Sequence, residues 1–188
     1  MFRLKLIIFL LFFPVGLGLL WQSFNLNILP DQLISFTFFL FSIEQARMAV
    51  IDLQSYYLTK KETENKVLFQ FFLVILTTII IELCGFYWAL FSVGWGAFLV
   101  IVSQIWFNFF APLRVVETSN IILQNYNFTE KIAVLFADSI PLFLMILWLI
   151  NVYPLTISLA IFAITLTFVC VKYGTFIIKI NRQSDGRG

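Results

Sequence analysis

Histidine is absent from all 188 residues. That removes imidazole-ligated haem and chlorophyll, HExxH zinc hydrolases, and Ser/His/Asp, Cys/His or Ser/His catalysis in one step. Cysteine is nearly absent: Cys84 and Cys170 stand in separate apolar runs at different expected depths. Such placement speaks against a disulfide, and both read as small core residues. Charged residues make up 12% of the chain, against about 25% in soluble domains. A net charge of +2 from 12 basic residues leaves no electrostatic footprint for a nucleic acid. Glycine numbers only 8, which argues against the close small-residue helix packing of rocking carriers, and no GxxxG motif occurs. A Gly-rich phosphate loop, a paired-Asp motif and a run of gating arginines are missing as well.

What fills the chain instead is apolar: 61% of residues are hydrophobic, 24 of them Phe, and the mean hydropathy is +0.98. That is more than one buried core can absorb, so many side chains must face lipid. The reading is an all-α polytopic membrane bundle with six transmembrane helices in three hairpins, forming one integral membrane domain over 1–188. At about 20 residues per span, the apolar runs predict helices over 6–21, 33–51, 67–91, 97–113, 132–150 and 155–178. The second is the ambiguous one, because Glu44, Gln45 and Arg47 interrupt it.

Lys and Arg are retained on the cytoplasmic side of a membrane, and this decides between five and six spans. With six, and a cytoplasmic N-terminus, the exterior segments 22–32, 92–96 and 151–154 contain no basic residue. With five, Lys60, Lys61, Lys66, Arg114 and Lys131 all fall outside. Six spans put both termini on the cytoplasmic side. Trp and Tyr favour the headgroup level, and Trp21, Trp88, Trp95, Trp148 and Tyr153 all fall at exterior helix ends. Trp106 does not. Arg3 and Lys5 ahead of an apolar run resemble a signal peptide, but no small-x-small cleavage site leads into polar sequence, so the segment is read as a helix.

The two interior loops, 52–66 and 114–131, are each long enough for a surface helix. Thr59-Lys60-Lys61-Glu62 fits a capping box, predicting that the third helix begins before the membrane. Residues 182–188 read as a polar, flexible tail.

Ionisable groups inside a bilayer are costly, so each is a candidate for chemistry. Asp138 and Lys172 each lie six residues from the inner ends of neighbouring helices, about 9 Å deep, which predicts an ion pair between them. It serves either as a packing pair or as a proton or substrate site. Pro141 frees the carbonyl of Ala137 beside Asp138, the kind of break at which transporters place sites. Glu82 and Gln104, about 13 and 10 Å from the outer side, can hydrogen-bond across the third and fourth helices. Glu82 is either interhelical glue or a proton- or cation-binding carboxylate or pigment ligand. Glu44 and Arg47 are i, i+3 and can pair on one helix face. Tyr56, Tyr57, Lys60, Lys61, Arg114 and Glu117, with Asn108 nearby, form a candidate cytoplasmic partner surface. The Asn127-Phe128-Thr129 sequon faces inward in this topology and is expected to be silent.

The length and six-helix count resemble the substrate-binding subunits of energy-coupling-factor vitamin transporters, although no substrate motif of that family is present. Residues 44–66, about an eighth of the chain, are locally similar to the connection after the second helix of six-helix ABC-2-type permeases, the similarity carried by Leu53-Gln54-Ser55-Tyr56-Tyr57-Leu58-Thr59. In those permeases a short helix docks there on an ATPase, so the resemblance implies a cytoplasmic ATPase partner if the chain is a permease.

The expected function is a non-catalytic subunit or assembly factor of a larger membrane complex. The alternative is a small-solute permease or substrate-capture subunit. An enzyme is the least favoured class, since acid/base work calls so often on His. No metal or cofactor is assigned, lipid or pigment being the remaining ligand classes; the expected partners are membrane lipid and other membrane subunits, with no nucleic acid. The Phe, Ile and Asn usage suits an AT-rich genome and a bacterial inner or thylakoid or organelle-type membrane. What separates subunit from permease is whether Glu82, Gln104, Asp138 and Lys172 face one cavity or several interfaces.

Overall fold

The structure, a computed structural model, describes residues 2–60, 65–117 and 121–185. Six helices account for most of them: α1 Phe2–Asn25, α2 Leu29–Lys60, α3 Lys66–Ala89, α4 Val93–Phe110, α5 Phe128–Leu149 and α6 Pro154–Asp185. All six are long and apolar enough to cross a membrane, which makes this a multi-pass membrane protein by architecture. Helices suit that setting because every backbone hydrogen bond is made within the segment, where no water is available to make it.

The bends between helices follow from local chemistry. Pro30 sits in the first turn of α2, where a missing N–H costs nothing. At the end of α5, Asn151 adopts φ 62. Its N–H donates to Trp148 O and that of Val152 to Leu147 O, both at 3.0 Å, the paired closure of a left-handed helix cap. Pro154 then opens α6. Asn65 starts α3, its side chain accepting from Val67 N at 3.3 Å. The predicted Thr59–Glu62 capping box is therefore not the start of α3: Thr59 and Lys60 are the last residues of α2, and Glu62 lies outside the described residues.

Two further expectations are corrected. The first interior loop holds no separate surface helix, because α2 continues unbroken through Asp52 to Lys60, about 48 Å at 1.5 Å per residue. The second carries two strands, β1 Leu113–Glu117 and β2 Ile121–Asn125, paired antiparallel with Leu113 opposite Asn125. Val115, Val116, Ile121 and Ile122 are β-branched, and Leu113, Val115 and Leu123 turn to the core; a period of two outweighed the loop length. The 182–188 segment divides: α6 runs through Asp185, and 186–188 lie outside the described residues.

Helix α2 is the hub, touching every other element except α5. The densest packing pairs α1 with α2 and α3 with α4, and Phe86 of α3, fully buried, meets Phe12 of α1 and Phe38 of α2 with ring centroids 5.9 and 6.4 Å away. In a membrane such contacts hold by close packing, since lipid tails are as apolar as the core. The α3–α4 seam is the tightest. A Cβ added at Gly85 would lie 2.7 Å from Val100 Cγ2, and one at Gly96 would overlap the backbone of Ala89. Few glycines do not mean no small-residue packing: Gly85 and Ala89 are spaced i, i+4 and face Gly96, a seam the glycine count concealed.

By contrast α5 packs, among the described helices, only on α4 and α6, and Met145 is its one fully buried side chain. Cys84 and Cys170 are unpaired, as expected, but both are exposed on outward faces rather than set in the core.

Candidate functional site

A single turn of α2 supplies polar side chains to different neighbours. A helix rotates about 100° per residue, so Glu44, Gln45 and Arg47 point toward α6, toward α3 and α4, and toward α1.

The innermost group is a cavity of about 50 Å³ between α2, α3 and α4. Its polar lining is Gln45 and Asp52 from α2, Thr78 and Glu82 from α3, and Gln104 from α4. The spacings explain the convergence: Thr78 and Glu82 are i, i+4, and Gln45 and Asp52 i, i+7, so each pair shares a helix face. Glu82 is 3% exposed. Its Oε1 accepts from Gln104 Nε2 at 2.6 Å, the bond expected across this hairpin. Gln104 Nε2 also donates to Ser103 Oγ at 3.3 Å.

The second group lies between α2 and α6. Glu44, 4% exposed, accepts from Arg47 Nη2 at 2.9 Å, from the Tyr173 hydroxyl at 2.9 Å and from Lys172 Nζ. The Glu44–Arg47 pair is as expected. The Asp138–Lys172 pair is not formed. Residue counting places two groups at one depth but says nothing of direction around the helix, and Lys172 is turned to α2.

Asp138 belongs to the third group, where α4, α5 and the strand pair meet. Asn108 Nδ2 donates to Asp138 Oδ2 at 2.7 Å, and the Tyr126 hydroxyl donates to Asn108 Oδ1 at 3.4 Å. Arg114 pairs with Glu130 at 3.1 Å, and Lys131 lies over the Tyr126 ring, 5.4 Å from its centroid. Burial, then the Asp138 charge, hold the Tyr126 hydroxyl above the usual phenol range, with Arg114 opposing.

Of the expected partner surface, Tyr56 is turned inward. Tyr56 is 5% exposed and stacks on Phe72 with centroids 4.5 Å apart, so it is part of the core. Tyr57 is exposed, Lys60 lies 5.9 Å over the Tyr56 ring, and Arg114 is engaged by Glu130. Lys61 and the side chain of Glu117 lie outside the described residues.

Sequence reasoning missed Gln45, Asp52 and Thr78; the i, i+7 and i, i+4 spacing of polar residues within apolar runs was the available signal. It missed a groove too. Between α1 and α2 lies an apolar cavity of about 790 Å³, with Lys5, Arg47 and Gln54 as its charged and amide lining. Among the described residues no group of three or more Cys, Asp and Glu is placed to hold a metal ion. Chemically, the central cavity offers oxygen donors and carboxyl groups, without a nucleophile and base in contact.

Comparison with protein families, curated proteins and solved structures finds no match to this chain.

Proposed function

We propose that the chain is a non-catalytic integral membrane subunit or assembly factor of a larger membrane complex. The observation that carries this reading is the dispersal of its intramembrane polar residues. Glu82 with Gln104, Asp138 with Asn108, and Lys172 with Glu44 occupy three different helix interfaces. A permease needs such groups along one path; here each bonds across a helix contact and holds the bundle in register. The outer faces of α5, where Phe136, Ile140, Phe143 and Ile146 are exposed, leave room for lipid or a neighbouring subunit.

The orientation belongs to the same proposal, with both ends of the chain cytoplasmic. The connections 26–28, 90–92 and 150–153 contain no Lys or Arg, and Trp21, Trp88, Trp95 and Trp148 flank them. A bacterial inner membrane or a thylakoid or organelle-type membrane suits this composition.

The test is purification of the tagged chain in mild detergent, wild type beside Glu82→Gln, with mass and co-purifying proteins measured. A large assembly with defined membrane partners is expected. Recovery of the chain alone, or with an ATPase, overturns the reading in favour of a permease or substrate-capture subunit.

A further inference from the structure

The groove between α1 and α2, about 790 Å³ in volume, is graded along its length. On α1 its apolar lining runs from Ile8 to Leu20, about 18 Å at 1.5 Å per residue. Ile8 and Phe12 are buried in its floor, while Phe9, Leu17 and Ile43 on its rim are exposed, so it opens sideways onto the surrounding lipid. Ser35 of α2 bonds to Leu19 O, and Ser42 lies against Gly16, so the two helices run antiparallel. Lys5 of α1 and Gln54 of α2 therefore stand at the same end of the groove. Neither makes a hydrogen bond or ion pair with a described residue, so the Lys5 ammonium and the Gln54 amide both offer N–H groups there. Arg47, engaged by Glu44, adds positive charge to the wall and is not needed as a donor. Among the described residues no Asp or Glu lines the groove.

An occupant of this groove has an apolar body and a negative, acceptor-rich end. Cavities of roughly 300–1,000 Å³ hold an organic molecule, and this lining is too apolar for a water-soluble one. A spanning helix of a partner subunit needs the whole hydrocarbon thickness of about 30 Å, whereas the apolar lining here covers little more than one leaflet. Basic pockets between membrane helices suit anionic headgroups, and a lysine at a helix end reaches the headgroup level readily. We propose that the α1–α2 groove is a binding site for one anionic phospholipid, its phosphate held by Lys5 and Gln54 and an acyl chain laid along Ile8, Phe12 and Leu20. The lipid would fill the seam that α1 and α2 leave open on their outer side. Which leaflet supplies it rests on the orientation proposed above, the cytoplasmic one if Lys5 lies inside; the site itself does not.

The full-length protein, purified in detergent and stripped of lipid, provides the test. Its thermal midpoint is followed as phosphatidylglycerol or phosphatidylcholine of the same acyl chains is added in mixed micelles. A saturable rise with phosphatidylglycerol, larger than with phosphatidylcholine, is expected, since a ligand bound only by the folded state stabilises it. Lys5→Gln should move half-saturation upward about tenfold, the loss of one charged hydrogen bond. Lys66→Gln, which removes an exposed cation outside the groove, should leave it unchanged. Ile43→Trp, filling the groove from its exposed rim, should weaken the response. Equal responses to the two lipids, or no response to either, overturn the proposal. So does a phosphatidylglycerol response that Lys5→Gln leaves at wild-type half-saturation. A rise with glycerol phosphate alone also overturns it, by assigning the donors to a free phosphate. Co-purifying proteins test the subunit reading separately, so either can fail without the other.

Discussion

Gly96 of α4 rests against the backbone of Ala89 of α3, with no space for a side chain between them. The contact brings two helix backbones together beside the short turn that joins them, and places Gln104, two turns further along α4, against Glu82. Replacing Gly96 by Leu should therefore cost about 3 kcal/mol or more, at the upper end of overpacking effects, and loosen the Glu82–Gln104 contact. Gly16→Ala is the comparison: its Cβ would meet only Ser42 Oγ, at 3.1 Å. There the helix-propensity gain of up to about 1 kcal/mol offsets the crowding. Thermal midpoints of both variants in detergent check the difference, and equal losses would count against the seam.

Glu44 joins α2 to α6 through Lys172 and Tyr173. A double-mutant cycle on Glu44→Gln and Lys172→Met should show a coupling of about 1 kcal/mol, moderated because Lys172 is 32% exposed. The corresponding cycle on Asp138→Asn and Lys172→Met should be additive within about 0.5 kcal/mol. Reversed couplings would restore the pairing that depth alone predicted.

Orientation is open to a direct measurement. In a background lacking Cys84 and Cys170, single cysteines at Ser92 and Asn151 should react with a membrane-impermeant thiol reagent added to intact cells. Cysteines at Tyr57 and Asn127 should react only after the membrane is opened. Labelling of Tyr57→Cys from outside would invert the topology.

Much of the fold was legible beforehand because it rests on composition and one-dimensional order. Six spans followed from run length and charge placement, and the short connections from the turn residues between them. Boundaries moved, outward most of all at α2, because a helix continues past the apolar stretch wherever polar residues also favour it, while α3, α4 and α5 end one to three residues short of their apolar runs. The strand pair was hidden behind loop length, although the β-branched Val115, Val116, Ile121 and Ile122 were its signal. At the sites, Glu82–Gln104 was readable because a hairpin leaves little freedom in which residues meet. Tyr56 was misread as surface because an aromatic near a helix end looks the same whether it faces Phe72 or water.

The sequence by itself determined the class of protein, the number of helices and their order, since hydropathy and charge act residue by residue and need no partner. Only the tertiary structure decided which polar groups meet. That choice depends on the rotation of each helix about its axis and on which helices are neighbours, and both are set by packing of the whole bundle. Glu44 takes Lys172, Asp138 takes Asn108, and Gln45 turns toward Glu82 because α2 lies between α6 on one side and the α3–α4 hairpin on the other.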